Sequence, residues 1–356
     1  MNITEQLTRI NNVQIVNWLL TRYCNLKCNY CGIIRHPVYE INDRETIRYP
    51  SLLHYANNPI SPETVINSLR EFKSFNPYCF HIFYGGEPFL YTGLSDILKF
   101  CNDNNIYYTV ITNNTLDMQK RMYEILKDIK YYQGISASVD PIIYSDNPHI
   151  QNSDRYKKSV LGLESLKKIK KDKICDDLVA EITLDKYNID YIYRLAEDLT
   201  KHGIFSSLTF IDIKKSPYYD FSNITDKNYL LHKSDELYNK LSELIDAGFL
   251  IHMGEELIDR VFDILPDNLD CELEKFNHNL TIDADGSIRL CLRIKGIETP
   301  KYNISEYFDK FSEIHKALIN DKKNYCKGCC WTCPIMSKLT VDDDFNRNIL
   351  HIDLED

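Results

Sequence analysis

The feature that most constrains this chain is an alternation. Between residues 13 and 213, six short apolar runs rich in β-branched and aromatic residues recur: "VQIVNWLL", "FHIFY", "YYTVIT", "ISASV", "LVAEITL" and "LTFIDI". Segments of helical period separate them. In "SPETVINSLREFKSF", Ser61 suits a helix cap, Pro62 the first turn, and Val65, Ile66, Leu69 and Phe72 share one face. A later segment, "NIDYIYRLAEDLTKHG", ends at Gly203, where a left-handed cap is expected. Strands alternating with helices predict an α/β fold with a parallel sheet and right-handed crossovers, curled into a partial (β/α)6 barrel. Ligands are then expected at the C-terminal ends of the strands, where the βα loops gather.

The pattern changes after about residue 216. "SDELYNKLSELIDAG" reads as a further helix, and "LTIDADGSIRLCL" as a hairpin turning at Asp285-Gly286. Four parts are expected: a barrel core over 13–215, a helical connector over 216–269, a small β-hairpin/helix domain over 270–340 and a tail over 341–356. No internal repeat or flexible linker separates them, so the second part is expected to pack directly on the first.

Composition excludes some functions. Hydrophobic residues at 44% and charged residues at 26% supply a sizeable core, so disorder is not expected. The excess of 52 acidic over 42 basic residues gives a net charge of -10, with no long basic block, which disfavours nucleic acid and anionic membranes as partners. No run is long enough to span a bilayer and the start lacks signal-peptide order, so a cytoplasmic protein is expected.

Twelve cysteines in so large a chain point to metal ligation rather than to disulfides. Cys79 and Cys101 adjoin apolar runs and read as buried small hydrophobes, while Cys175 reads as incidental. The informative group is "TRYCNLKCNYCGI", directly after the first strand, with Cys24, Cys28 and Cys31 spaced three and then two residues apart. Three thiolates can hold three irons of a 4Fe-4S cluster and leave the fourth iron open. A zinc site borrowing a fourth ligand such as His36 has the same spacing requirement, and spacing alone does not exclude it.

"CNLKCNYC", with Tyr30 before its last cysteine, resembles the signature of the radical S-adenosylmethionine (radical SAM) enzymes. The resemblance covers most of the chain. "YGGEP", after the second strand, is similar to that family's GGEP motif, which implies that Gly85, Gly86 and Glu87 hold the SAM amino group. A plain strand-ending turn is the alternative. "TNN" after the third strand and "SASVD" at the fourth resemble positions near the ribose and carboxylate of SAM, which implies roles for Asn113, Ser138 and Asp140. Turn and cap residues often look the same. Arg155 is a weaker candidate for pairing with a carboxylate. The resemblance also implies the cofactors and chemistry. SAM chelates the open iron, an electron from an external donor such as flavodoxin or ferredoxin splits the sulfonium, and the 5'-deoxyadenosyl radical removes a substrate hydrogen.

"CELEKFNHNLTIDADGSIRLC" followed by "CKGCCWTC" resembles the auxiliary-cluster extension called SPASM, or its shorter form, twitch. The six cysteines Cys271, Cys291, Cys326, Cys329, Cys330 and Cys333 can complete one auxiliary 4Fe-4S cluster but not two, and several four-member sets are compatible with their spacing. A zinc ribbon is the alternative from CxxC spacing alone.

SPASM and twitch resemblance implies a substrate that is a peptide or protein. Only about a dozen residues precede the first strand, so leader recognition is expected from a separate protein, or is not needed. The second expectation is a small-molecule enzyme, such as an amino sugar alcohol dehydrogenase, and the third is a non-catalytic iron-sulfur or zinc protein. Asp283, Asp285 and several tyrosines are candidates for acid or base roles, which turn and surface positions explain equally well.

Overall fold

The computed structural model describes residues 13, 15–26, 60–126, 129, 132–210, 234–252, 279–290 and 302–325. The chain order is β1 (Ile15–Thr21), α1 (Pro62–Phe75), β2 (Phe80–Gly85), α2 (Leu94–Asp103), β3 (Tyr108–Thr112), α3 (Leu116–Leu126) and β4 (Tyr132–Ser138). After these come α4 (Pro148–Gln151), α5 (Asp154–Lys171), β5 (Cys175–Leu184), α6 (Ile192–Lys201), β6 (Phe205–Phe210) and α7 (Asp235–Asp246). A hairpin of β7 (Asn279–Ile282) and β8 (Ile288–Arg289) precedes α8 (Ile304–Tyr307) and α9 (Phe311–Tyr325).

All six expected core strands form, and neighbouring strands from β1 to β6 pair in parallel. The sheet order is β6-β5-β4-β3-β2-β1-β7-β8. The last strand was expected over "LTFIDI" but occupies Phe205–Phe210. Its ladder with β5 starts at Val179–Phe205 and so recruits the serine pair Ser206 and Ser207, which an apolar-run reading passes over. Residues 211–213 lie outside the described residues.

One face of this sheet is apolar and covered by helices. Val16, Trp18, Phe83, Val110, Ile135 and Ala180 point there and are buried. Helix α1 forms as its sequence dictates: the Ser61 hydroxyl accepts from Thr64 N at 3.0 Å, Pro62 opens the first turn, and Val65, Leu69 and Phe72 are buried. Phe72 meets Trp18 edge-on with ring centroids 6.2 Å apart. The Trp18 indole N–H donates to His81 Nδ1 at 3.1 Å, and burial holds His81 down at about 3, so the ring is a neutral acceptor. Gly203, with φ +64, ends the turn after α6. Cys79, Cys101 and Cys175 are all buried, and burial pushes the first two thiols up, away from the reactive thiolate form.

The opposite face is less buried and mixes polar with apolar residues. On β6, Ser206 and Leu208 are buried, whereas Phe205, Ser207 and Thr209 are half-buried, and β5 repeats this with Val179, Glu181 and Thr183 half-buried. A strand buried on both sides has no such alternation, so this face lines the concave interior of the partial barrel.

The C-terminal hairpin turns at Asp285-Gly286 as expected, with Gly286 at φ +82. It does not stand apart: β7 pairs in parallel with β1, from Ile15–Asn279 to Trp18–Ile282. Above that ladder, Arg22 grips Asp283 through two hydrogen bonds, Nε to Oδ1 at 3.2 Å and an Nη atom to Oδ2 at 2.7 Å. Both residues are buried. Helices α8 and α9 complete the contact: Phe308 packs on Phe72 with centroids 4.9 Å apart, and Tyr307 and Phe311 join the cluster. No helix among the described residues is long and apolar enough to cross a membrane.

Candidate active site

The site is assembled where β1, β2 and β3 end. The chain leaves β1 through Thr21, Arg22 and Tyr23 into Cys24. The turn after β2 is zipped onto this segment: Gly86 N donates to Thr21 O at 2.8 Å and Glu87 N to Tyr23 O at 2.7 Å. Both glycines are required by that approach. A Cβ on Gly85, whose φ is +152, would lie 2.3 Å from Thr21 O, and one on Gly86 would lie 2.1 Å from Tyr23 O.

Glu87 then ties in β3. Its Oε1 accepts from Phe89 N at 3.1 Å and from the Thr112 hydroxyl at 2.8 Å, while Oε2 accepts from Asn113 N at 2.8 Å. The carboxyl is completely buried. Desolvation pushes it up to about 7, against the pull of those three donors, each of which favours the charged form. Thr112 also accepts Asn114 N at 3.0 Å, and Asn114 takes the left-handed conformation at φ +50 that asparagine tolerates.

Asn113 closes the circuit. Its side-chain amide lies 3.6 Å from Cys24 Sγ and donates to Asn25 Oδ1 at 2.8 Å. Its Oδ1 accepts Thr115 N at 3.1 Å. Leu26 N adds a second donor to Cys24 Sγ, at 3.4 Å. One asparagine therefore touches the cysteine loop with its side chain and Glu87 with its backbone. Cys24, Gly85, Gly86, Glu87 and Asn113, predicted separately along the sequence, lie together.

Cys24 is a half-buried cysteine. Two N–H donors aimed at its sulfur favour the thiolate, the form that ligates a metal, so this residue fits a thiolate-bound iron site. Cys28, Cys31 and Tyr30 lie outside the described residues, as do His36 and all six C-terminal cysteines from Cys271 to Cys333.

Ser138 and Asp140, at the end of β4, part company. Ser138 is half-buried on the open face, level with Glu181 of β5. Asp140 is buried in a charge network: Arg155 Nε donates to Asp140 Oδ2 at 2.8 Å and Thr183 N to Oδ1 at 3.0 Å, with Lys158 Nζ 3.9 Å away. The Arg155 guanidinium also donates to Asp185 Oδ2 and, at 2.9 Å, to Thr183 O. Burial alone would raise the Asp140 carboxyl, but Arg155, Lys158 and the Thr183 N–H together hold it below its ordinary range. The carboxylates facing Arg155 are thus the chain's own.

The two candidate acid-base residues of the hairpin also have structural partners. Asp283 pairs with Arg22, and Asp285 Oδ1 accepts Ser287 N at 2.9 Å inside the turn.

Sequence reasoning missed Asp185, Thr112 and Glu181. Glu181 had a signal, being the single charged residue in "LVAEITL". Its carboxylate accepts from the Ser207 and Ser136 hydroxyls, and burial pushes it up to about 7 despite them.

The family model described as the radical SAM superfamily matches residues 18–216. Among solved structures, SuiB of Streptococcus suis bound to S-adenosylmethionine is similar at TM-score 0.61 and 17% identity, covering 95% of this chain and 77% of SuiB. SuiB bound to the precursor peptide SuiA is similar at TM-score 0.58 and 16% identity, covering 96% and 77%. At such identities the likeness speaks to the fold. No curated protein sequence matches the chain. With a family match spanning more than half of its length, on a partial barrel whose first three strand ends converge on Cys24, this chain belongs to the radical SAM superfamily of enzymes.

Proposed function

We propose that this enzyme reductively cleaves SAM and uses the resulting radical to remove hydrogen from a peptide or protein substrate. The observation that carries the reading is the Cys24–Asn113–Glu87 circuit, which joins the ends of β1, β2 and β3. Cys24, Cys28 and Cys31 would hold the 4Fe-4S cluster. When bound together, cluster and SAM supply reductive cleavage of the sulfonium and abstraction of a substrate hydrogen atom.

The chain's own contributions follow from the geometry. Asn113 and Leu26 N–H orient the Cys24 sulfur and favour its thiolate. Glu87 uses three of its roughly four acceptor positions on its own chain. We assign the remaining one, on Oε2, to the SAM amino group, with the Gly85-Gly86 backbone beside it. Ser138 on the open face is assigned to SAM, with Asp140 held one step behind it by Arg155. Tyr30 is assigned beside the cluster loop.

Two further parts of the reading concern the C-terminal region. The cysteines from Cys271 to Cys333 would complete one SPASM- or twitch-like auxiliary 4Fe-4S cluster. The grip of Arg22 on Asp283 supports a fixed placement of this region beside the cysteine loop. A peptide substrate is supported by SuiB, which shares the fold and whose structure holds the precursor peptide SuiA. A flavodoxin- or ferredoxin-type protein would donate the electron.

The test is anaerobic reconstitution with iron and sulfide, then reduction with SAM present. Release of 5'-deoxyadenosine is expected, together with its loss when Cys24, Cys28 and Cys31 are all changed to Ala. That triple variant should still retain about four irons, held by the C-terminal thiolates. Zinc in their place would support a ribbon, and roughly eight irons would refute the single auxiliary cluster.

A further inference from the structure

The open face of the barrel carries one carboxylate at mid-height, Glu181, and the register fixes its neighbours. Ser138 of β4 and Ser207 of β6 lie directly beside it, and Ser136 lies one pleat below. Its recorded partners are the Ser207 and Ser136 hydroxyls. No Lys, Arg or His points to this face from the described residues of β1 to β6; Arg289 of β8 lies on the same side, but at the opposite edge of the sheet. The nearest acid on the same side of β5 is Asp177, exposed at the far end of the strand.

Glu87 shares this condition, but other carboxylates of the sheet have a cation. Asp140 and Asp185 share Arg155, and Asp283 holds Arg22. A carboxylate partly withdrawn from water and met by hydroxyls keeps part of its desolvation penalty, because neutral donors return only part of what hydration supplied. A cation arriving from outside would recover it. Burial pushes this carboxyl up to about 7, in the same direction.

Position adds a second argument. Thr112 pairs with Ala137, so Asn113 stands level with Ser138, and Ser138 stands level with Glu181. At roughly 4.8 Å per strand, Glu181 is about 10 Å along the sheet from the Cys24–Asn113 circuit. That is the reach of a substrate side chain whose backbone lies at the reaction centre. The net charge of -10 further draws cationic partners to the molecule.

We propose that Glu181, flanked by Ser136 and Ser207, is a substrate-recognition subsite for a cationic side chain, a lysine-type ammonium or an arginine-type guanidinium. The assignment rests on the proposed function and narrows its substrate class to basic peptides. Ser207 and Ser136 are positioning residues that hold the carboxylate across three strands.

The test uses the reconstituted, SAM-loaded full chain and two uncharged-backbone probes, N-acetyl-lysine N-methylamide and N-acetyl-norleucine N-methylamide, titrated by ligand-observed NMR. The lysine probe should bind at least about tenfold more tightly, a difference of roughly 1.4 kcal/mol. Glu181→Gln should erase the preference, and Glu181→Asp should keep part of it, which separates lost charge from a damaged barrel. Equal binding of the two probes to the wild-type chain, or an unchanged preference in Glu181→Gln, would overturn the proposal. So would a loss of SAM affinity in Glu181→Gln, because it would make the residue a SAM contact. SAM binding by the wild-type chain, recorded on the same samples, tests the proposed function separately.

Discussion

Two groups of carboxylates on the same sheet have opposite fates. At the top of β4 and β5, Asp140 and Asp185 are buried around one guanidinium, and Asp140 is held below its ordinary range. Among the described residues, Glu87 and Glu181 are met by hydroxyl and backbone N–H donors, and both are raised to about 7. Burial is common to the two groups, complete except at the half-buried Glu181; among the described residues, a cation is not. Where the chain supplies its own cation the site is closed and structural, and where it supplies only neutral donors the carboxylate is left with unspent affinity for positive charge.

The sharpest way to break this contrast is Arg155→Met. It leaves Asp140 and Asp185 buried beside each other, with only Lys158, 3.9 Å from Asp140, for compensation. A loss of about 3–5 kcal/mol is expected in chemical denaturation, the cost of orphaning a buried charge. A loss below about 1 kcal/mol would mean that the network is not structural.

Glu87→Gln is expected to cost about 1–3 kcal/mol, because the amide nitrogen cannot accept from Asn113 N or Phe89 N and leaves a buried donor unpaired. SAM affinity should fall while cluster iron stays nearly unchanged. Unaltered SAM affinity would reduce "YGGEP" to a structural turn.

The pH dependence distinguishes the groups by sign. Glu87 and Glu181 have folded values above their ordinary 4.5, so the folded chain binds those protons more tightly. Their contribution to stability is present at low pH and is lost as pH rises from 4.5 through about 7. Asp140, held below its ordinary 3.8, contributes stability above that value and loses it as pH falls. Glu181→Gln should therefore flatten the decline between pH 5 and 7 by at most one proton, roughly 1.4 kcal/mol per pH unit. An unchanged slope in denaturant titrations would contradict the raised Glu181.

The smallest effect belongs to a surface control. Lys240 pairs with Asp190 and Glu236 in solvent. Lys240→Met should change stability by less than about 1 kcal/mol, and less still in high salt.

Much of this was legible in the sequence because it is local. Period-two and period-3.6 patterns located the six strands and α1, and glycines marked the turns at Gly86, Gly203 and Gly286. The juxtaposition of Cys24, Glu87 and Asn113 was legible only as motifs at successive strand ends. What stayed hidden depends on partners distant in sequence. Arg155 looked available for a ligand until the fold supplied Asp185, thirty residues on, together with Asp140. The pairing of β7 with β1 joins segments more than 250 residues apart, which no local period encodes. Glu181 was visible as a charge in an apolar run, but its neighbours on β4 and β6 are set by the assembled sheet.

The central claim is SAM cleavage at the Cys24 loop, and one measurement meets it most directly: 5'-deoxyadenosine formed under anaerobic reduction by the reconstituted chain and by its Cys24→Ala, Cys28→Ala, Cys31→Ala triple variant. The account predicts release from the wild-type chain and none above background from the triple variant, with the C-terminal iron retained. Equal release from both, or none from a wild-type chain carrying its full iron, would contradict it.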